Sequence, residues 1–187
     1  MFGDILRFLL EITFNLFGAA LITRIWIYSI RLHSFHPLSR SVIQITDWLI
    51  IPIQKIVRPG PNLDWSSLIG SWLTALVYLI SIWMSTWKNL IPSHLTGSLI
   101  IAAFVTISKW SLNLIIWLTL IQTILSWLNP MAPMMSLLKI LTAPLLDPIR
   151  KMLPSTTIID FSPLIILVLS QVGLMIQTRI IFYLLKI

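Results

Sequence analysis

Two stretches of this chain repeat each other and hold the side chains best suited to binding chemistry. Residues 46–68 and 142–164 align without gaps at a separation of 96 residues. The identical pairs are Thr46/Thr142, Leu49/Leu145, Pro52/Pro148, Ile53/Ile149, Lys55/Lys151, Asp64/Asp160, Ser66/Ser162 and Leu68/Leu164. Lysine and arginine recognise phosphate or carboxylate groups, whereas Asp and Ser cap helices. These residue types indicate electrostatic binding rather than catalysis.

The composition indicates the environment in which these two stretches lie. The 187 residues are 57% hydrophobic and 10% charged, and the mean hydropathy is +0.94. Soluble domains carry about 25% charged residues, so the chain has too few charges to cover a surface in water. We predict an integral membrane protein, in which the net charge of +7 reflects orientation and anionic lipid rather than nucleic acid. Because cysteine is absent, disulfides and thiolate sites are excluded.

Four apolar segments have about the 20 residues that a spanning helix needs. They are 12–31, 65–87, 110–128 and 161–185. The predicted fold class is an all-α integral membrane protein with four transmembrane helices, arranged as two tandem parallel repeats of helix, amphipathic interfacial linker helix, helix. The repeats, 1–92 and 93–187, form one membrane domain, and we expect a pseudo-two-fold axis along the membrane normal. The first segment lacks signal-peptide features and is expected to stay as an anchor.

Residues 97–108 leave two alternatives open, because they are apolar but too short to span the bilayer. One alternative is a separate interfacial helix that ends at Lys109–Trp110, which resembles an interface marker. The other is a single long helix over 96–128.

Each linker shows the pattern of an amphipathic helix. Over 144–153 the apolar residues recur at i, i+1, i+4, i+7 and i+8, which is one helical face. This pattern predicts a helix with Thr142 as N-cap, Pro144 in its first turn and Pro154 at its end.

The polar faces of both linker helices carry cations, namely Lys55 and Arg58 in the first linker and Arg150 and Lys151 in the second. A helix of this kind lies in the headgroup plane, with its cations near lipid phosphate. Two interpretations remain: lipid anchoring without a specific ligand, or a docking surface for a partner protein or an anionic ligand.

Asp64 and Asp160 each precede a predicted spanning helix, and Ser66 and Ser162–Pro163 follow them. Ser before Pro is a typical helix start, and a carboxylate is favourable at the positive helix end. The pattern favours capping together with an ion pair to Arg58 or Arg150. The alternative is a pair of ion-coordinating or proton-handling carboxylates, one per repeat.

The remaining polar residues give the orientation and the internal contacts. Positive charge is concentrated in the linkers, which predicts that both linkers are cytoplasmic and both termini external. Tryptophans mark the two ends of the spans in this frame: Trp65 and Trp127 on one side, and Trp83, Trp87 and Trp110 on the other. Arg24 is the most interior charge, and it either snorkels to the cytoplasmic face or has a function. Gln122, Gln171 and Gln177 are expected to form interhelical hydrogen bonds.

The sequence contains no recognisable catalytic or cofactor motif. P-loop, metal-ligand and Ser/His/Asp patterns are not apparent, and His33 and His36 lack a third ligand nearby. We predict no enzymatic activity, no metal site and no cofactor, with the histidines in a solvated loop.

The second linker resembles the YggT (YlmG) family of small bacterial membrane proteins, and most closely its gammaproteobacterial members. The resemblance rests on Ser126–Trp127, Asn129–Pro130, the run from Pro144 to Pro154 and the run from Ile159 to Pro163, with weaker matches at Arg24–Trp26, Pro37 and 46–55. The chain departs from the family at Gln54, Lys55 and Lys151, and at Gln122, where many members have Arg.

The resemblance implies association with osmotic-stress tolerance, cation uptake and cell-division genes, and in plastid relatives with c-type haem attachment and nucleoid distribution. The leading hypothesis is a non-enzymatic assembly factor of the bacterial inner membrane, which docks anionic phospholipid or a membrane protein partner through its linkers. The alternative is a small ion-transport or channel-associated protein. That alternative requires a homo-oligomer, because four spans are few for a pore.

Overall fold

The computed structural model of the chain describes residues 2–31, 37–61, 63–87, 92, 95–129, 131–152 and 161–185. Within these ranges it contains six helices and no strand. The helices are α1 (Phe2–Ser29), α2 (Pro37–Gln54), α3 (Trp65–Trp87), α4 (Thr96–Leu128), α5 (Pro133–Met152) and α6 (Ser162–Leu185). The predicted all-α class is confirmed.

Four of the helices are long and apolar enough to cross a membrane, and they lie where the sequence predicted spans. The candidate spans are Asp4–Ser29, Trp65–Thr86, Thr96–Leu128 and Ser162–Leu185. They correspond to α1, α3, α4 and α6, which leaves α2 and α5 in the linkers. The 33 residues of α4 extend about 50 Å at 1.5 Å per residue, which exceeds the roughly 30 Å of a hydrocarbon core.

The continuity of α4 decides between the two alternatives for residues 97–108, because the helix runs unbroken through Lys109 and Trp110. The interpretation of Trp110 as an interface marker is wrong, since its side chain is only 1% exposed. Its indole Nε1 donates to Asn15 Oδ1 at 2.9 Å, and its ring covers the bare backbone of Gly18. Trp83, also placed in the belt, is likewise buried.

The second linker helix begins earlier than the sequence predicted. Because α5 starts at Pro133, Thr142 lies in its interior, and the predicted N-cap is wrong. Inside the helix, Thr142 Oγ1 lies 2.8 Å from the carbonyl oxygen of Leu138, one turn earlier. Pro144 and Pro148 also lie inside the helix, whereas Pro154 lies outside the described residues.

The first linker helix ends earlier than predicted, so Lys55 and Arg58 follow α2 rather than lie on its polar face. One further turn closes there, where the Val57 amide donates to the Ile53 carbonyl at 2.8 Å. Pro59, which has no backbone N–H, follows directly and prevents continuation of the helix.

The chain divides into two compact units. One unit comprises Met1–Ser111 and Gln177–Ile187, and the other comprises Leu112–Ile176. In the first unit α1, α2 and α3 pack on one another, and a Cβ at Gly70 would lie 2.5 Å from Ile50 Cδ1. The proposed division into repeats 1–92 and 93–187 stays a prediction.

The close packing of Gly18 generates a stability prediction. A Cβ on Gly18 would lie 2.3 Å from Trp110 Cδ2, whereas a Cβ on Gly97 would meet nothing within 4 Å. We expect Gly18→Ala to lower the free energy of unfolding by about 1–3 kcal/mol through overpacking. Gly97→Ala, the matched control, should be neutral or raise it by up to about 1 kcal/mol. Thermal unfolding in detergent micelles measures both, and equal midpoints for the two variants would contradict the packing described.

Candidate functional site

A buried cluster of charged residues joins α1 to α2 and to the start of α3. The Arg24 side chain on α1 is only 10% exposed. Its Nη1 donates to Thr46 Oγ1 at 2.8 Å and to Asp47 Oδ1 at 2.7 Å, and its Nε lies 3.8 Å from Asp64 Oδ2. Arg24 therefore does not snorkel, because carboxylates of two neighbouring segments satisfy it inside the protein.

Asp64 caps the N-terminus of α3, as the sequence predicted. It immediately precedes Trp65, the first residue of the helix, and its Oδ1 accepts the backbone N–H of Ser67 at 3.2 Å and the hydroxyl of Ser66. Its Oδ2 accepts the Ser67 hydroxyl at 2.5 Å. The ion-pair partner of Asp64 is Arg24 rather than Arg58, because α1 brings the guanidinium beside the start of α3.

Thr46 fixes the position of α2 in this cluster. The Thr46 hydroxyl is buried, donates to the carbonyl of Val42 at 2.8 Å and accepts from Arg24. The Tyr28 hydroxyl of α1 donates to the Gly60 carbonyl at 2.7 Å, so the segment after α2 is also attached to α1. In this cluster one cation is shared between two carboxylates and a hydroxyl.

The second unit contains a neutral contact at the matching threonine. The Thr142 hydroxyl on α5 donates to the side-chain oxygen of Gln122 on α4, and both residues are buried. Arg24 precedes Thr46 by 22 residues, and Gln122 precedes Thr142 by 20. In each case the preceding spanning helix holds the linker helix through a buried threonine. The predicted interhelical role of Gln122 is confirmed.

The four linker cations are exposed. Lys55 and Arg58 lie in the segment that follows α2, and Arg150 and Lys151 lie in the last turn of α5. Arg150 Nη1 lies 3.4 Å from Asp147 Oδ1, in a pair that is open to the surroundings. Positive charge in the last turn is favourable because the C-terminal end of a helix is negative.

The predicted start of α6 is only partly described. Ser162 is the first helical residue and Pro163 the second, and both are buried. Asp160 lies outside the described residues, so its capping role stays a prediction.

An apolar recess of about 430 Å³ opens between α1, α2 and α3. Phe14 and Phe17 of α1, Trp48 of α2, and Leu73 and Val77 of α3 contribute to its walls. Trp48 packs against Phe17 with 5.5 Å between ring centroids and remains largely exposed. The recess is not evident in the sequence, because its walls come from three helices that are distant in sequence.

Asp47 was not among the residues predicted from the sequence, although the sequence contains one signal for it. A charged residue within a span is usually paired, and the whole chain contains only six acidic residues. Asp47 and Asp64 are the acidic residues in and next to the first linker, which begins shortly after Arg24. Within the described residues, no group of three or more His, Cys, Asp or Glu side chains is placed to hold a metal ion.

Four spanning helices with two linker helices, held by buried polar contacts, define a helical multi-pass membrane protein. The chain belongs to the CCB3/YggT family, whose family model matches residues 3–92 and 101–181. It is 30% identical to YggT of Escherichia coli K12 over 169 residues, which cover 89% of this chain and 86% of that relative.

Two further relatives also match over most of their lengths. A Haemophilus influenzae protein is 31% identical over 155 residues, 82% of this chain and 80% of its own. A Vibrio alginolyticus protein from the proC 3' region is 24% identical over 165 residues, 87% of this chain and 88% of its own. No solved structure matches the chain. The predicted family and its gammaproteobacterial likeness are confirmed.

Two arginines of α1 allow a matched test of the buried cluster. Arg24 pairs with carboxylates in a buried site, whereas Arg7 pairs with Glu11 at 3.0 Å in a site where the side chains are 45% and 39% exposed. We expect Arg24→Met to lower the free energy of unfolding by about 3–5 kcal/mol, because it leaves a buried carboxylate without its cation. Arg7→Met should lower it by about 0–1 kcal/mol, as for exposed pairs. Equal losses in chemical unfolding of the purified protein would contradict the assignment of Arg24 as the central contact.

Proposed function

We propose that this chain is a non-enzymatic organising factor of a bacterial inner membrane. Its linker cations, on the cytoplasmic side, dock anionic lipid headgroups or acidic segments of a partner membrane protein. The observation that carries the proposal is the presentation of Arg150 and Lys151, both exposed, at the end of a helix that other, buried residues hold in place.

The orientation of α5 supports this role. Thr142 is held by Gln122, and Leu146, one turn further along, is fully buried. These contacts restrict rotation of α5 about its axis, so Arg150 and Lys151 are kept outward. Each cation near an anionic surface contributes about 1 kcal/mol, and a fixed pair adds geometric selectivity for a matching anion.

The apolar recess beside α2 supports contact with lipid. Its volume lies within the roughly 300–1,000 Å³ of typical ligand sites, and Trp48 stands at its edge. Tryptophan favours the level of the headgroups. Lys55 is exposed and follows Trp48 by seven positions, and it is the cation that we propose for the headgroup of a lipid whose acyl chain enters the recess.

The alternative, an ion transporter with one carboxylate site per repeat, is less favoured by the contacts of Asp64. A cation site needs oxygen lone pairs that are free to coordinate. The carboxylate oxygens of Asp64 instead accept from Ser66 and Ser67, with the Arg24 guanidinium beside them. These contacts serve capping and ion pairing.

Charge reversal in α5 tests the proposal. We expect Arg150→Glu/Lys151→Glu to lower the retention of phosphatidylglycerol about 10-fold or more, since two attractive charges become repulsive. Native mass spectrometry of the detergent-purified protein measures this retention, with phosphatidylcholine as the neutral lipid. Cross-linking in intact cells measures association with a partner protein in parallel.

The control for this experiment is Lys139→Glu, an exposed cation on the same helix that lies outside the repeated stretch. Loss of lipid retention alone identifies anionic lipid as the ligand, and loss of cross-linking alone identifies a protein. Unchanged results in both assays, or equal losses in the Lys139→Glu control, would show that Arg150 and Lys151 are not a docking surface.

A further inference from the structure

Three glutamines on the spanning helices differ in how their amides are satisfied. Gln122 accepts from Thr142, and Gln177 Nε2 donates to Ser108 Oγ at 2.6 Å. Gln171, near the middle of α6, is exposed, and its side chain makes no hydrogen bond within the described residues. The prediction of an interhelical partner therefore holds for two of the glutamines and leaves the third facing outward.

The outward position of Gln171 is unfavourable in a lone chain. Its helix is the least buried of the four candidate spans, so its exposed face lies against hydrocarbon. Transfer of an amide from water to an alkane is strongly unfavourable when no hydrogen bond replaces the water. Lipid chains offer no donor or acceptor, so a second protein surface is the favourable environment for Gln171.

The neighbours of Gln171 form a regular stripe. Leu164, Val168 and Met175 are all exposed, and with Gln171 they follow the spacing i, i+4, i+7 and i+11. This is the heptad spacing by which two helices pack side by side. Gly173, on another side of α6, meets Leu112 of α4, so the stripe does not overlap this packing within the chain.

We propose that this stripe, the α6 seam, joins two copies of the chain into a symmetric dimer in which Gln171 hydrogen-bonds Gln171 of the second copy. Copies inserted in one membrane share one orientation, so a two-fold axis along the membrane normal places equivalent residues opposite each other. A primary amide both donates and accepts, and two such groups therefore satisfy each other reciprocally. A single polar residue in an apolar seam also fixes the register of the paired helices and the number of helices that associate.

The chemistry of the seam selects a second copy over other occupants. A cationic or anionic residue at position 171 would repel its own copy, whereas the amide is self-complementary. The seam contains no linker cation and no residue of α5. Dimerisation through the seam can therefore be tested independently of the docking function proposed above.

Cysteine scanning tests the seam directly, because the chain contains no cysteine. Single variants Leu164→Cys, Val168→Cys and Met175→Cys, which retain Gln171, should form disulfides between copies in dilute liposomes. Disulfides require Cα atoms about 4.4–6.8 Å apart, so only positions at the axis react efficiently. The controls are Leu169→Cys and Ile176→Cys, which are equally exposed but lie on another face of α6.

A second measurement isolates the amide. We expect Gln171→Leu to weaken dimerisation about 10-fold in sedimentation equilibrium, while Gln171→Asn retains it and the thermal transition of the monomer is unchanged. Equal cross-linking at the seam and control positions, no cross-linking at any position, or full dimerisation of Gln171→Leu would each overturn the proposal.

Discussion

The arrangement of the first half of the chain depends on burial of one guanidinium. A charge removed from water must be compensated by charge and hydrogen bonds nearby, and Arg24 finds both on segments that follow it in sequence. Displacement of α2 from α1 would remove Thr46 and Asp47 from the buried Arg24 guanidinium. The ion pair thereby converts a linker, which would otherwise be free to move in the headgroup region, into a fixed element.

The second half reaches a similar attachment without charge. Gln122 replaces the cation, and Ala143 stands at the position that matches Asp47. The threonine contact of the second half therefore contains neither a cation nor the carboxylate that would match Asp47. Replacement of a buried ion pair by well-packed hydrophobic residues often leaves the free energy of unfolding unchanged or raises it, so a charged pair is not required for stability. The buried threonine is therefore the feature that both halves share, whereas its partner is charged in the first half and neutral in the second.

The sequence predicted the elements that follow from hydropathy and failed where the outcome depends on distant contacts. Four spans and two linker helices follow from the length and apolarity of the segments, and the Asp64 cap follows from its position before an apolar run. The burial of Trp110 depends on Gly18, and the pairing of Arg24 with Asp47 depends on the placement of α2. Neither of these two contacts can be predicted from local hydrophobic periodicity. Local periodicity also placed the linker-helix boundaries wrongly, because prolines that resembled helix starts are tolerated inside α5.

The internal prolines constrain the level at which the linker helices lie. Pro52, Pro144 and Pro148 lack the N–H that would bond to the carbonyls of Trp48, Ile140 and Pro144, four residues earlier. In hydrocarbon each carbonyl without a donor costs several kcal/mol, whereas water among the headgroups supplies donors. All three prolines are exposed, so the affected side of each helix is accessible to such water. The repeated proline thus favours an interfacial position for both linkers.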